Sequence, residues 1–454
     1  MALHKQYEYA HKLRGSYSTH RKAIGMNESF IMQFAERLAE SQQSVGVFIL
    51  DFARFSLIND VVGNHVGYDL LQSAKARLEA VIGNCVLTYT QDYKILLAVP
   101  ESDQSGGLVG LAEKILHVCR QPWTIQRQKY FFTASIGASI FPNDSRDVAR
   151  LIQYADIARL RAKKLGGDNC QFYTENLSAQ ALWSLEMEQE LRSAMDKHEL
   201  FLHYQPRVEL RRGVITSVEA LARWQNRALG IVPPATFISL AEECGLIVSL
   251  GEWVIKETCR QLRLWNKQNA YVKASINLSA GQLYHKNFLP DLLVILQHYD
   301  IAPAQLEFEV TENVVLRDLD RAIYILKAIK ANGSTIAMDD FGTGQSSLTN
   351  LGKLPIDVLK IDRSFIQEME QSAQSASIAQ AIISLGHILK QKVTAEGVET
   401  ERQLALLRRF ECDEIQGYIF SRPLPAAETH RLLITGNEPL LRLRDQLAMD
   451  SSCL

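Results

Sequence analysis

No stretch of the 454-residue chain approaches the ~20 consecutive apolar residues of a membrane span, so none is expected. Charge of one sign is equally scarce. Lys and Arg total 49 against 51 Asp and Glu, and the net charge of -2 gives no sign of a general nucleic-acid or membrane-surface binder. The bias is confined to the first 25 residues, where Lys5, Lys12, Arg14, Arg21 and Lys22 face only Glu8. That basic start has no apolar h-region and does not read as a secretory signal. Cysteine is sparse too: seven, at 85, 119, 170, 244, 259, 412 and 453. An odd number, without Cys-x-x-Cys or His-rich spacing, argues against a disulfide framework or a zinc site. Thiols in a reducing compartment are expected, which points to the cytoplasm.

What is present is 47% hydrophobic and 22% charged residues, the balance of a globular protein with room for two or three domains. "VGVFILDF" (45–52) reads as a buried strand and "GYDLLQSAKARLEAVI" (67–82) as an amphipathic helix. "VLTYTQDYKILLAV" (86–99) reads as a hairpin with Gln91-Asp92 at its tip. Further strand at 129–142 and a long helix at 147–167 complete an α/β sandwich of residues 36–175, after a basic segment at 1–35. A helical connector fills 176–200. Eight strand-like stretches follow, at 201–208, 215–224, 271–279, 306–312, 335–340, 358–362, 393–399 and 414–419, many separated by helices. Their regularity favours closure into a (β/α)8-type barrel over 201–437, with an open two-layer sheet as the alternative. Residues 438–454 are left as a tail.

Polar residues recur near the C-terminal ends of these strands: Glu219, Asn277, Glu309, Asp339 with Asp340, Lys360 with Asp362, Glu396 and Gln416. Strand alternation puts Glu307, Glu309 and Thr311 on one face and Leu306, Phe308 and Val310 on the other. Any one of these polar residues is more often a strand-end feature than a functional group. Together they gather at one mouth, where barrels of this kind carry their active sites. Five carboxylates there repel one another, and Lys360 and Arg223 cannot balance them. Divalent cations can, and an all-oxygen set without Cys or clustered His selects Mg²⁺ or Mn²⁺. Asp339-Asp340 is then expected to be the hinge of a two-metal site that clamps a phosphoryl group.

These residues carry a resemblance. "EALARW" (219–224), "HYQPRVEL", "SINLS", "FEVTEN", "MDDFGTGQSSL", "LKIDRSF", "TAEGVET" and "IQGYIFSRP" resemble, in order, the blocks of the EAL family of cyclic di-GMP phosphodiesterases over about 190–435. The resemblance implies a modified barrel that hydrolyses cyclic di-GMP to pGpG. It implies Glu219, Asn277, Glu309 and Asp339 as ligands of a first metal, with Asp340 and Glu396 serving a second or its water. Lys360 resembles the lysine that polarises the attacking water, and Glu312 the glutamate that anchors the glycine loop. Asp362 supports the cluster and, with Arg223, Gln416 and Glu399, is placed on the substrate side. Two positions depart: Gln345 stands where the family usually has Tyr, and Cys244 where it has Thr.

The first domain resembles a GGDEF diguanylate cyclase domain with a dismantled signature. "TQDYK" (90–94) has Thr90 and Gln91 for two glycines and Tyr93 for the catalytic Glu. Tyr68 replaces the aspartate that reads guanine, while Asn59 and the metal-type Asp51 remain. Residues 81–84, "VIGN", carry no inhibitory motif. The resemblance implies a regulatory or dimerisation domain without synthesis, with GTP as its candidate ligand and a homodimer as the assembly. A non-catalytic cyclic di-GMP receptor is the competing function. A bifunctional enzyme that also makes the dinucleotide ranks behind both.

Overall fold

A computed structural model describes residues 44–53, 55, 64–83, 85–90, 92–101, 106–125, 128–342 and 351–436. The basic start at 1–35, Asn59, Gln91, the glycine-loop residues Gly344 and Gln345, and the tail at 438–454 lie outside the described residues. The chain divides between Leu185 and Glu186 into two compact units, each taken by itself. Among the described residues no helix is long and apolar enough to cross a membrane.

The first unit holds β1 (Val45–Phe52), β2 (Val86–Tyr89), β3 (Ile95–Pro100), a short hairpin of β4 (Trp123–Ile125) and β5 (Gln128–Tyr130), β6 (Ala134–Phe141) and β7 (Asn169–Phe172). The main sheet runs β2-β3-β1-β6-β7. The apolar run of β1 is explained by burial on both faces. Phe48, Leu50 and Phe52 join one core with Leu70, Ile115 and Trp123, while Val45, Val47 and Ile49 join another with Leu151 and Ala155. Helix Val148–Lys164 lies tight against the sheet because Gly137 has no side chain: a Cβ there would fall 2.0 Å from the Ala155 carbonyl oxygen. Helix Glu175–Ala194 follows, covering most of the stretch 176–200 read as a connector and starting one residue before it.

The second unit closes as a barrel of eight strands: β8 (Leu200–Glu209), β9 (Val214–Asn226), β11 (Lys273–Asn277), β12 (Leu306–Thr311), β13 (Thr335–Phe341), β14 (Val358–Ile361), β15 (Lys392–Glu396) and β16 (Glu414–Gln416). These are the eight stretches read from the sequence. Two short strands, β10 (Gly230–Val232) and β17 (Leu424–Pro425), extend the sheet. From β9 through β16 the barrel neighbours run parallel, but β8 is antiparallel to both β9 and β16. The barrel is thus the modified form, because a hairpin rather than a helical crossover joins its first two strands. Phe308 and Val310 pack into the apolar core, while Glu307 and Glu309 are buried as well and meet Arg207. Strand alternation therefore holds, with a polar interior and an apolar outer face.

Candidate active site

Neighbouring residues on a regular strand point to opposite faces, so a regular β13 would separate Asp339 from Asp340. It is not regular. Its pairing with β14 runs through Met338↔Leu359, then shifts and resumes at Phe341↔Ile361. Inside this irregularity Asp340 has φ 53°, a left-handed conformation that Asp tolerates better than most residues with a side chain. The result is that oxygens of Asp339, Asp340 and Glu396 lie within 4.8 Å of one another.

Lys360, on β14, is buried among the acids. Its Nζ lies 2.6 Å from Glu309 Oε2, 2.6 Å from Glu396 Oε1, 3.0 Å from Asp339 Oδ1 and 4.0 Å from Glu219 Oε2. Burial disfavours its charge, but Asp339, Glu219, Glu309 and Glu396 more than offset this and hold it protonated, its pKa well above the ordinary value. A second interior cation was missed in the sequence. Arg207 Nη1 lies 2.6 Å from Glu307, and Nη2 lies 2.8 Å from Glu309 Oε1. Arg207 shares one face of β8 with Gln205, but its partners lie on strands distant in sequence, so spacing alone does not mark it.

The five carboxylates Glu219, Glu309, Asp339, Asp340 and Glu396 outnumber their cations, since Lys360 is shared among four of them and Arg207 is divided between Glu309 and the deeper Glu307. Three have raised pKa values. Burial pushes Glu219 up, with Glu309 adding repulsion. Burial and Asp339 raise Asp340, and burial with the neighbouring acids raises Glu396 to about 8. Glu309 goes the other way: burial opposes its charge, but Lys360 and Arg207 lower its pKa. An all-oxygen pocket with excess negative charge is what a hard divalent ion neutralises. The donor set fits a hard divalent cation.

The other expected residues divide. Asn277, exposed at the end of β11, donates from Nδ2 to Glu219 Oε1 at 2.7 Å, leaving its carbonyl oxygen for a ligand. Gln416 is buried and donates to Glu219 Oε2 at 2.5 Å and Gln205 Oε1 at 3.1 Å, so it orients Glu219. Arg223 is half-buried; burial lowers its pKa while nearby Glu219 pulls it up. Asp362 caps helix Arg363–Glu368 through Ser364 N–H at 3.0 Å, and its carboxyl contributes to the raised pKa of Asp340. Glu312 is buried at the start of helix Glu312–Leu316, and its Oε1 meets no donor among the described residues. Glu399 is exposed; its backbone N–H donates to Gln403, and among the described residues its carboxylate joins none of the cluster's bonds.

In the first unit, Thr90 Oγ1 bonds Asp92 and accepts from the Lys94 N–H at 3.0 Å. Tyr93 has φ 62° and its ring lies 5.2 Å from that of Phe55. Asp51 accepts from Arg159 at 2.8 Å and Lys163 at 3.0 Å. Tyr68 is exposed.

Comparison with known proteins decides the family. A model of the EAL domain matches residues 188–423. The chain belongs to the EAL family. A diguanylate cyclase GGDEF-domain model matches 25–169, so the two domains stand in tandem. A bifunctional diguanylate cyclase/cyclic di-GMP phosphodiesterase, MucR of Pseudomonas aeruginosa, is 37% identical over 399 residues, 87% of this chain and 58% of the relative. The cyclic di-GMP phosphodiesterase PdeR of Escherichia coli is 33% identical over 388 residues, 85% of this chain and 58% of its own. The chain thus spans just over half the length of these curated relatives. Among solved structures, the PaMucR phosphodiesterase in complex with c-di-GMP is 43% identical and superposes with a TM-score of 0.52, covering 54% of this chain and 99% of that one. The EAL enzyme Bd1971 with cAMP and cyclic di-GMP bound is 26% identical at a TM-score of 0.54, covering 75% and 81%.

Proposed function

We propose that the protein hydrolyses cyclic di-GMP to pGpG at the EAL barrel mouth. The observation that carries this is the bulged Asp339-Asp340 pair converging with Glu396 beside the buried Lys360. The EAL match and the likeness to a phosphodiesterase solved with c-di-GMP support the substrate. Mg²⁺ or Mn²⁺, held by Glu219, Asn277, Glu309 and Asp339, with Asp340 and Glu396 toward a second ion, would supply positive charge to the phosphate and an acidified water.

The chain's own groups do the rest. Water adds to phosphorus, one P–O3′ bond breaks, and the leaving oxygen takes a proton, giving a linear dinucleotide. Lys360, whose charge the surrounding acids favour, is the group proposed to polarise the attacking oxygen. Asn277 and Gln416 hold Glu219 through both its oxygens. Arg223, near Glu219, is the proposed phosphate contact; Asp362, beside Asp340, and Glu399 are proposed as substrate-side residues on the strength of the family resemblance. Glu312 is the anchor for the glycine loop.

The GGDEF domain, in this reading, makes no cyclic di-GMP: Thr90 and Tyr93 replace small and acidic residues of the signature, and Asp51 is engaged by two cations. GTP is its proposed ligand through Asp51 and Lys163, and a homodimer the proposed assembly on the strength of the family resemblance. A reducing, cytoplasmic setting is proposed from the odd, scattered set of seven cysteines in the sequence.

The test incubates purified protein with cyclic di-GMP and Mg²⁺ or Mn²⁺ and separates the products. Appearance of pGpG that stops on chelation is expected. Tight binding of cyclic di-GMP without turnover would replace the enzyme with the receptor.

A further inference from the structure

Arg207 sits one layer beneath the metal-type residues. On β8, Gln205 pairs with Glu219 and Arg207 with Ser217, two residues deeper on β9. Its guanidinium is buried and splits its fork between two carboxylates, Nη1 to Glu307 Oε1 at 2.6 Å and Nη2 to Glu309 Oε1 at 2.8 Å. Glu414 Oε2 lies 3.7 Å from Nη1, and Lys392 reaches that same carboxylate at 3.3 Å. Glu307 is itself held by Thr335 Oγ1 at 3.2 Å. Glu309 therefore has each oxygen assigned: Oε1 to Arg207 below, Oε2 to Lys360 above.

We propose that Arg207 is a positioning residue for the metal cluster, fixing the rotation of the Glu309 carboxylate so that Oε2 faces the mouth. This rests on the reading that the cluster takes Mg²⁺ or Mn²⁺. The planar fork suits the task, because two fixed N–H directions engage two carboxylates at once. A lysine offers a point charge on a flexible stem and fixes neither. Groups that orient a metal ligand typically change metal affinity or activity about 10–100-fold when altered. A purely structural plug would instead register in stability.

The experiment uses the full chain with Arg207→Lys, which keeps the charge and loses the fork. Mn²⁺ binding is read by calorimetry without nucleotide, beside kcat and KM for cyclic di-GMP. The expected result is Mn²⁺ affinity weaker by about 10-fold or more. It should be accompanied by a lower kcat, and at saturating metal KM should be nearly unchanged. Wild-type Mn²⁺ affinity in a folded variant overturns the proposal, even if its melting temperature falls. If the lysine variant does not fold, Glu307→Leu replaces it, since it removes the acceptor for Nη1 at similar volume while leaving the Glu309 contact. A severalfold loss of Mn²⁺ affinity is then expected, and none overturns the idea. Metal binding by a wild-type chain that hydrolyses nothing would sink the phosphodiesterase reading and leave this one standing.

Discussion

Lys360 Nζ lies 2.6 Å from Glu396 Oε1, yet the Glu396 pKa is raised to about 8. One ammonium shared among four acids does not offset burial and repulsion at Glu396. In the unfolded chain this group titrates near its ordinary 4.5. The folded, metal-free state therefore binds the extra proton between pH 4.5 and 8, and stability falls as pH rises through that window. Metal requires the deprotonated form. The rise in melting temperature on adding Mn²⁺ should grow from pH 5.5 to pH 8. A shift that is flat or shrinks over that range would show that proton and metal do not compete here.

The left-handed φ of Asp340 is a cost retained at the site. Asp340→Gly removes the steric penalty of roughly 1 kcal/mol, partly offset by the greater freedom of glycine in the unfolded chain. Urea unfolding should find the variant as stable as wild type or slightly more so, while turnover falls by orders of magnitude. A clear loss of stability would mean that the Asp340 carboxylate holds the fold.

Glu219 is buried with its charge disfavoured, first by desolvation and then by Glu309. Glu219→Gln keeps the volume, removes that charge, and leaves an amide that keeps one of the two bonds, the other being kept only if Asn277 or Gln416 turns its own amide to accept. The metal-free variant should melt at or above the wild-type temperature at pH 8, where a charged Glu219 costs most. Its turnover should fall by about 100-fold or more, because a lost ligand misplaces both metal and water. Retained turnover with stoichiometric metal would remove Glu219 from the ligand set.

The eight barrel strands were legible because each carries alternating polar and apolar residues over a short span, a pattern that burial enforces. The antiparallel start was not legible from that pattern, which fixes which residues share a face and leaves strand direction open. The same gap hid Arg207, whose partners Glu307, Glu309 and Glu414 come from strands 100 and more residues away. The Asp339-Asp340 pair announced itself by composition. That both acids could serve one site depended on a bulge which no residue type in "AMDDF" demands. Gln416 reads as a substrate-side residue, and its contact with Glu219 is added only when β16 closes against β8.

The first domain supplies the last test. Cyclising GTP needs phosphate cradled by close backbone, bound metal and correctly held guanines. Thr90 adds a side chain where the signature has glycine, and its hydroxyl is committed to Asp92 and Lys94. Tyr93 packs near Phe55 in place of an acid. Asp51 is paired with Arg159 and Lys163, so a metal must displace two cations to use it. A missing polar contact of the kind deleted at Tyr68 typically costs about 1–3 kcal/mol, which weakens nucleotide binding without abolishing it. The Glu219→Gln protein, unable to degrade the product, should accumulate no cyclic di-GMP from GTP and Mg²⁺. Wild-type phosphodiesterase activity should change when GTP is added, and Lys163→Ala should blunt that response. Synthesis in the first assay would show that the domain still works as a cyclase. An activity indifferent to GTP, in wild type and variant alike, would reduce it to a spacer.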